Sequence, residues 1–302
     1  MNHTKYAVFT MDVEAFTDTE CISNTGAKLD VDLLDGFDTY IKLLDQYNIK
    51  STLFTVGKLA PKIADRMKKC LQNGHRLALH SYHHIAPMEQ APAVFRAEIQ
   101  KAKQKLSDLF QTEIKRFRAP CFSLDKERLD ILRELGFSYD SSHLGFSKAR
   151  HTVDLDLSRF EQLRDGLFRQ DSFYEFGLSR QNIFGHPYPV SGGGYVRLGN
   201  WDFIKGLIRQ YIRNHDYYVF YLHPFELTQQ KVPILKELKA YDKYYLTFGI
   251  RSYAKKVEQI IRMLQKCGYQ FVTFEELAEK MEQEPLREKG VAGFVQELLK
   301  NI

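Results

Sequence analysis

The sequence has few cysteines and no long apolar run, and both absences narrow the class of protein. Its four cysteines include no CxxC pair and no zinc-ribbon spacing; they are Cys21, Cys70, Cys121 and Cys267. Scattered cysteines favour reduced thiols over a disulfide framework. No apolar run approaches the ~20 residues of a membrane helix. The first residues also lack the pattern of a signal peptide, so we expect a cytoplasmic protein without a transmembrane segment.

The charge pattern gives little indication of a nucleic-acid partner. The net charge is +5, and basic residues are interspersed with acidic ones rather than gathered into a stripe. Hydrophobic residues make up 44% and aromatic residues 13% of the chain, which is enough for a sizeable core. The sequence contains no linker, internal repeat or low-complexity segment. We therefore predict one domain over residues 1–302, with a core at about 6–283 and a carboxy-terminal extension at 284–302.

The first half alternates between short apolar segments and amphipathic ones. We predict strands at 6–11, 51–56, 76–80, 114–118 and 137–140, separated by helices at 31–47, 60–73, 91–110 and 126–135. Such alternation implies a parallel sheet, hence a barrel or a doubly wound sheet. The pattern lapses at about 145–200, which we interpret as an irregular insertion beside the substrate cleft. It resumes with helices at 201–214, 252–266 and 274–282, strands at 217–222 and 269–273, and a short helix at 290–299.

Three histidines lie within five residues, where the third predicted strand passes into a loop. His80 and His84 are spaced so that two neutral imidazoles can converge on one divalent metal. The alternative is a solvated loop or a set of structural histidines, which the motif alone does not exclude. His83, between them, is expected to face away from the metal.

Two acids at the end of the first predicted strand offer the anionic ligand that such a site requires. Strand side chains alternate, so Asp12 and Glu14 lie on one face while Val13 points into the packing. One carboxylate can bind metal while the other acts on water. The alternative is an ordinary helix cap or solvated turn.

Two further strand ends carry polar residues. Arg118 can hold a carboxylate ionised and oriented, and the backbone N–H groups of Cys121 and Phe122 can face a developing oxyanion. His223 closes an apolar strand and is a candidate general acid. An ordinary turn and a hydrogen-bonded core histidine are the respective alternatives.

Taken in order, these segments resemble the polysaccharide deacetylase family, carbohydrate esterase family 4. The matching segments are Asp12-Val13-Glu14, His80-Ser81-x-x-His84, Arg118-x-Pro120-x-Phe122, Tyr139-Asp140-Ser141-Ser142 and Leu222-His223-Pro224. Residues 191–198 and 221–227 are similar to the exosortase-associated subgroup, which is linked to exopolysaccharide and surface-glycan synthesis. The resemblance implies an α/β fold, a distorted (β/α)7 barrel with its site at the carboxyl ends of the strands.

The resemblance also implies a role for each residue. His80 and His84 match metal ligands, Asp12 the general base and Arg118 the residue that orients it. His223 matches the histidine that protonates the leaving amine. The family usually has a second aspartate where this chain has Val13. We expect Glu14 to replace it as a ligand, although Asp12 binding the metal itself, or a weakly held metal, remains open.

The sequence therefore predicts a metal-dependent hydrolase that removes an N-acetyl group from an amino sugar of a surface glycan or its precursor. The implied cofactor is one divalent ion, Zn²⁺ with Co²⁺ or Ni²⁺ as alternatives. The substrate is expected to be an N-acetylated sugar or glycan precursor, nucleotide-linked or lipid-linked. The alternatives are a cyclic ureide or imide amidohydrolase, a sugar deformylase of the same fold, and an inactive glycan-binding barrel.

Overall fold

The computed structural model describes residues 4–145 and 155–283. Twelve strands occur in this part of the chain. They are β1 (Lys5–Val13), β2 (Ser51–Thr55), β3 (Arg76–Leu79), β4 (Arg116–Phe117), β5 (Tyr139–Asp140), β6 (Glu161–Arg164), β7 (Leu167–Gln170), β8 (Phe173–Phe176), β9 (Arg180–Ile183), β10 (His186–Pro189), β11 (Tyr217–Phe220) and β12 (Tyr269–Phe271).

The main sheet is a curled run of parallel strands. Its order is β11-β1-β2-β3-β4-β5-β8, and each neighbouring pair is parallel. β7 and β6 extend it antiparallel beyond β8, and β12 pairs with the start of β1. The ends of the run approach each other through Tyr217, whose hydroxyl donates to the Gly177 carbonyl at 3.2 Å. The predicted fold class, a distorted parallel barrel of one α/β domain, is confirmed.

Ten α-helices cover the outside of the sheet in the described residues. They are α1 (Glu20–Ser23), α2 (Asp35–Asp45), α3 (Ala64–Gln72), α4 (Pro92–Phe110), α5 (Lys126–Glu134), α6 (Gly193–Leu198), α7 (Trp201–Asn214), α8 (Ala240–Thr247), α9 (Ile250–Lys266) and α10 (Phe274–Gln283). The predicted helix at 60–73 begins instead as a 3-10 turn, Gly57–Ile63, because Pro61 lies inside it. The helix predicted at 290–299 lies outside the described residues.

The insertion is more regular than the sequence predicted. β6, β7 and β8 form an antiparallel set, and β9 with β10 forms a hairpin. β8 is buried on both faces, so it lacks the alternation of polar and apolar residues by which a strand is recognised. β8, rather than the strand predicted at 269–273, is the seventh parallel strand along the sheet.

The core lies between the curled sheet and its helices. Alternate residues of β1 fill the two sides: Phe9, Met11 and Val13 pack in one cluster, and Tyr6 and Val8 in another. Burial of both strand faces explains why the central segments are nearly continuous apolar runs. In the described part of the chain, every helix is too short or too polar to cross a membrane.

Candidate metal and catalytic site

The polar residues that the sequence singled out converge at the carboxyl ends of four strands. Backbone hydrogen bonds between neighbouring strands continue past the ends of β3, β4 and β11. The N–H of Asp12 donates to the Leu222 carbonyl, that of His80 to the Thr55 carbonyl and that of Arg118 to the Leu79 carbonyl. These bonds fix His80 and Arg118, which directly follow β3 and β4, as firmly as strand residues, and they hold Asp12, within β1, against the segment after β11. The carboxyl edge of a parallel sheet is also where such folds place their ligands.

Glu14, His80 and His84 form a group suited to a metal ion. One ligand atom from each lies within 4.8 Å of the others. The Glu14 Oε2 to His84 Nε2 distance is 2.6 Å. Two imidazoles and a carboxylate match the donors of Zn²⁺ and similar ions at sites that retain an open position. Exposed His83 is outside the group, as expected.

The electrostatics of the group agree with that use. Burial lowers the pKa of His80 to about 4, so its imidazole is neutral near pH 7. His80 Nδ1 lies 2.8 Å from the Arg118 carbonyl. The carbonyl can only accept, so Nδ1 carries the proton and Nε2 presents its lone pair. Burial alone would raise the pKa of Glu14, but the facing His84, His223 and His80 outweigh it and lower this pKa to about 2.

The loop that carries His84 is held in an unusual shape. Ser81 and His84 both have positive φ, at 56° and 63°. The Ser81 hydroxyl accepts the His84 N–H at 2.9 Å. Glu98, on α4, accepts the N–H groups of Tyr82 and His83 at 3.0 and 3.1 Å. A strained loop that its surroundings hold in place is typical of a functional site.

Arg118 is fully buried and holds Asp12. Its Nη1 donates to Asp12 Oδ1 at 2.6 Å and to Thr10 Oγ1 at 2.9 Å. Its other donors reach the Ser141 carbonyl at 2.9 Å and hydroxyl at 2.8 Å. The guanidinium also lies 4.1 Å from the centre of the Phe54 ring. This network fixes the Asp12 carboxylate in one orientation.

His223 faces Asp12 from the end of β11 and is held by a second buried ion pair. Its Nε2 lies 4.0 Å from Asp12 Oδ2, and its Nδ1 lies 3.1 Å from Glu226 Oε2. Arg197 Nε donates to the other Glu226 oxygen at 2.8 Å. Burial opposes protonation of His223, but Glu14, Glu226 and Asp12 outweigh it and raise its pKa to about 9. His223 is therefore a proton donor at neutral pH.

The turn after β4 offers one free N–H rather than two. The Phe122 N–H donates to the Ala119 carbonyl at 2.9 Å and is committed to the turn. The predicted oxyanion contact is thus left to the Cys121 N–H. Burial raises the pKa of the Cys121 thiol to about 12, which agrees with a packing residue rather than a nucleophile.

Two buried carboxyl groups, those of Asp140 and Glu175, are connected to this turn through Ser142. Ser142 donates from its hydroxyl to Asp140 Oδ1 at 2.9 Å and accepts the Ala119 N–H at 2.9 Å. Glu175 Oε1 accepts the N–H groups of Ser142 and His143 at 3.0 and 2.9 Å. Burial and the neighbouring Asp140 raise the pKa of Glu175 well above its ordinary range. The buried pair of acids therefore favours the protonated form of Glu175.

The triple glycine packs the insertion against β11. A Cβ on Gly192 would lie 2.1 Å from the Tyr221 carbonyl, and Gly192 has φ of 118°. A Cβ on Gly193 would lie 2.7 Å from the Tyr221 hydroxyl. Close backbone approach explains these glycines.

Several residues of the site were not given roles by the sequence. Arg197, Glu226, Ser141, Asp140 and Glu175 lie in the segments that were compared with the family or in the insertion. Glu226 had a local signal, because it follows His223 by three residues across a proline turn and accepts the His223 N–H at 3.1 Å. Arg197 and Glu175 had none, since each meets its partner across about 30 residues of chain.

Comparisons with known proteins bear on the fold. The polysaccharide deacetylase family matches residues 30–139, and a domain of unknown function (DUF3473) matches residues 147–279. No curated protein matches the sequence.

Several solved structures share the fold. An assigned polysaccharide deacetylase from Mycobacterium smegmatis is 16% identical, with a TM-score of 0.56 over 94% of this chain and 92% of the other. A peptidoglycan N-acetylglucosamine deacetylase is 15% identical, with a TM-score of 0.51 over 90% and 86%. An acetyl xylan esterase from Clostridium thermocellum, solved with cobalt, is 15% identical, with a TM-score of 0.50 over 93% of both chains.

The partial family match and the fold agree: residues 30–139 match the polysaccharide deacetylase model, and the fold is similar to those of solved structures described as deacetylases and as members of carbohydrate esterase family 4. The fold does not by itself establish activity. A Bacillus anthracis protein described as a pseudoenzyme of this family is 12% identical, with a TM-score of 0.53 over 92% of this chain and 66% of the other.

Proposed function

We propose that this protein is a metal-dependent hydrolase that removes an N-acetyl group from an amino sugar of a surface glycan or its precursor. The observation that carries the proposal is the convergence of Glu14, His80 and His84 within 4.8 Å, beside a buried carboxylate and a protonated histidine. Pseudoenzymes need not retain all of these groups, so the complete set favours catalysis over glycan binding alone.

Each residue has a role in this proposal. Glu14, His80 and His84 hold a divalent ion, which when bound polarises the amide carbonyl and acidifies water. Asp12, oriented by Arg118, accepts the proton of the attacking water. The Cys121 N–H donates to the developing oxyanion, and His223 donates its proton to the departing nitrogen.

Glu14 takes the position of the aspartate that the family usually has one residue earlier. Val13 is fully buried in the apolar core and has no access to the site. Asp12 is already bound by Arg118, and among the acids that the structure describes only Glu14 lies in the group with the two histidines. We therefore assign Glu14 as the ligand and Asp12 as the base.

The choice of amide substrate rests on the acid. An amine is a poor leaving group unless it is protonated, and His223, with its raised pKa, supplies that proton at neutral pH. The similar structures include both a peptidoglycan N-deacetylase and an acetyl xylan esterase, so ester substrates are the main competitor. The exosortase-associated subgroup, zinc as the metal and a nucleotide-linked or lipid-linked precursor remain predictions.

A substrate panel tests the proposal. The protein, loaded in turn with Zn²⁺, Co²⁺ or Ni²⁺, is incubated with chitin oligosaccharides, acetylated xylan, allantoin as a cyclic ureide, and an N-formylated amino sugar. We expect acetate release from the chitin oligosaccharides, which Asp12→Asn abolishes. Product from allantoin or formate from the formyl sugar would instead support an alternative reaction. Metal binding without any product would favour the inactive glycan-binding barrel.

A further inference from the structure

The outer face of α8 carries an exposed aromatic strip. Tyr241, Tyr244 and Phe248 are 69%, 42% and 49% exposed. Tyr241 and Tyr244 are three residues apart on one face of α8, and Phe248 directly follows its last residue, Thr247. The Tyr244 and Phe248 rings stack at a centroid distance of 4.7 Å. Large aromatic side chains at such a spacing are normally buried, so an exposed strip of them marks a binding surface.

The strip adjoins the candidate site through Arg197. This buried guanidinium donates to Glu226 at 2.8 Å and to the Tyr245 carbonyl, on α8, at 2.6 Å. It also donates to the Phe248 carbonyl at the end of the strip. The Tyr245 ring faces inward and lies 6.2 Å from that of Phe225, beside His223. Arg197 thus links one face of α8 to Glu226, the residue that holds the candidate acid His223. The opposite face of α8 is open to solvent.

The strip lies in a segment with a local excess of basic residues. Residues 231–256 contain seven Lys or Arg residues and two acids. Lys239, Lys243 and Arg251 flank the aromatic residues in sequence. Such a surface attracts an anionic partner and offers it flat apolar contacts.

We propose that this strip binds an acidic polysaccharide, the chain on which the sugar at the metal site is carried. The aromatic rings pack against sugar rings, and the flanking cations pair with carboxylates along the chain. The assignment deepens the proposed function and rests on it, since it places the strip beside the site where one sugar of the chain would react. Short neutral substrates would reach the site without touching the strip.

Binding measurements test this independently of hydrolysis. The full-length protein is titrated by calorimetry with a hyaluronan decasaccharide, which is acidic and N-acetylated, and with a neutral chitin oligosaccharide. We expect tighter binding of hyaluronan, and a loss of about tenfold or more in Y241A/Y244A/F248A. K239A/K243A/R251A should bind hyaluronan no more tightly than the neutral oligosaccharide. All six changes are at surface positions, and circular dichroism checks that the variants fold.

Matched controls lie on other helices. Val94→Ala removes an exposed apolar side chain from α4, and K68A/K69A removes exposed charge from α3; both should bind like the native protein. If the native protein does not bind hyaluronan, or if the strip variants bind it unchanged, the proposal is wrong. Binding to phosphatidylglycerol vesicles or self-association, lost in the strip variants while hyaluronan binding is unchanged, would assign the strip to a membrane or to a second copy. Activity on N-acetylglucosamine disaccharide reports separately on the proposed function.

Discussion

The Asp12 carboxylate and the Arg118 guanidinium form a fully buried pair, with Nη1 donating to Oδ1 at 2.6 Å. Their partners leave Asp12 Oδ2 directed toward His223, 4.0 Å away. A buried, oriented carboxylate between a candidate metal group and a candidate acid has the geometry of a general base. The first prediction follows from this division of roles.

Asp12→Asn should lower kcat by about 10²–10⁴-fold, because the amide cannot accept a proton from water. Metal content should be unchanged, since Glu14 rather than Asp12 lies in the metal group. Parallel measurement of kcat and metal stoichiometry checks both statements. Loss of metal together with activity would show instead that Asp12 is a ligand.

Glu226→Gln should shift the alkaline limit of activity to lower pH. Burial lowers the pKa of His223, but the charges of Glu14, Glu226 and Asp12 outweigh burial and raise this pKa to about 9. His223 therefore donates a proton up to about that pH. Removing the Glu226 charge lowers this pKa, and the acid form is then lost earlier as the pH rises. A pH profile of kcat for the two proteins measures the shift. An unchanged alkaline limb would mean that Glu226 does not tune the acid.

Glu175→Gln should become more stable, relative to the native protein, as the pH rises. The fold raises the pKa of Glu175 well above its ordinary value of 4.5, so the stabilisation from this group is present at low pH and is lost as the pH rises through the raised pKa. Glutamine keeps the acceptor and the donor without needing a proton. Arg118, His143 and Tyr217 also face the carboxyl pair and are present in both proteins.

The difference in unfolding free energy should change by about 1.4 kcal/mol per pH unit above 4.5 until the folded pKa is reached. Urea denaturation at pH 5, 7 and 9 measures it. A constant difference between the two proteins would contradict the raised pKa of Glu175. Asp140→Asn is the contrasting variant: it replaces an accepting oxygen and should be destabilised at every pH.

Val13→Asp, which restores the family's usual residue, should destabilise the fold without creating a ligand. Val13 is fully buried in the core, and a carboxylate there costs on the order of 3 kcal/mol or more. Val13→Ala controls for the lost packing and should cost less. Thermal denaturation measures the stability of Val13→Asp, and metal analysis of the double variant Val13→Asp/Glu14→Ala shows whether the new aspartate can replace the ligand. A stable Val13→Asp whose double variant keeps its metal would contradict this account.

The sequence predicted the parallel strands and singled out the candidate site residues because both leave local signals. The apolar segments end at polar residues, and all eight predicted site residues lie near the carboxyl edge of the sheet. Contacts between residues that are distant in sequence left no such signal. β8 is buried throughout, so it lacks a recognisable alternation. The role of its Glu175 becomes visible only when the fold places Asp140 beside it. The role of Arg197 likewise becomes visible only when the fold brings it within hydrogen-bond distance of Glu226.

The most direct test of the central claim is the metal content of the purified protein beside that of H80A/H84A and Glu14→Ala. Measured by mass spectrometry after incubation with Zn²⁺, Co²⁺ or Ni²⁺, the native protein should retain about one equivalent of divalent metal per chain, and each variant should lose it. If the native protein takes up no metal from any of the three solutions, the Glu14–His80–His84 group is not a metal site, and the hydrolase mechanism is contradicted.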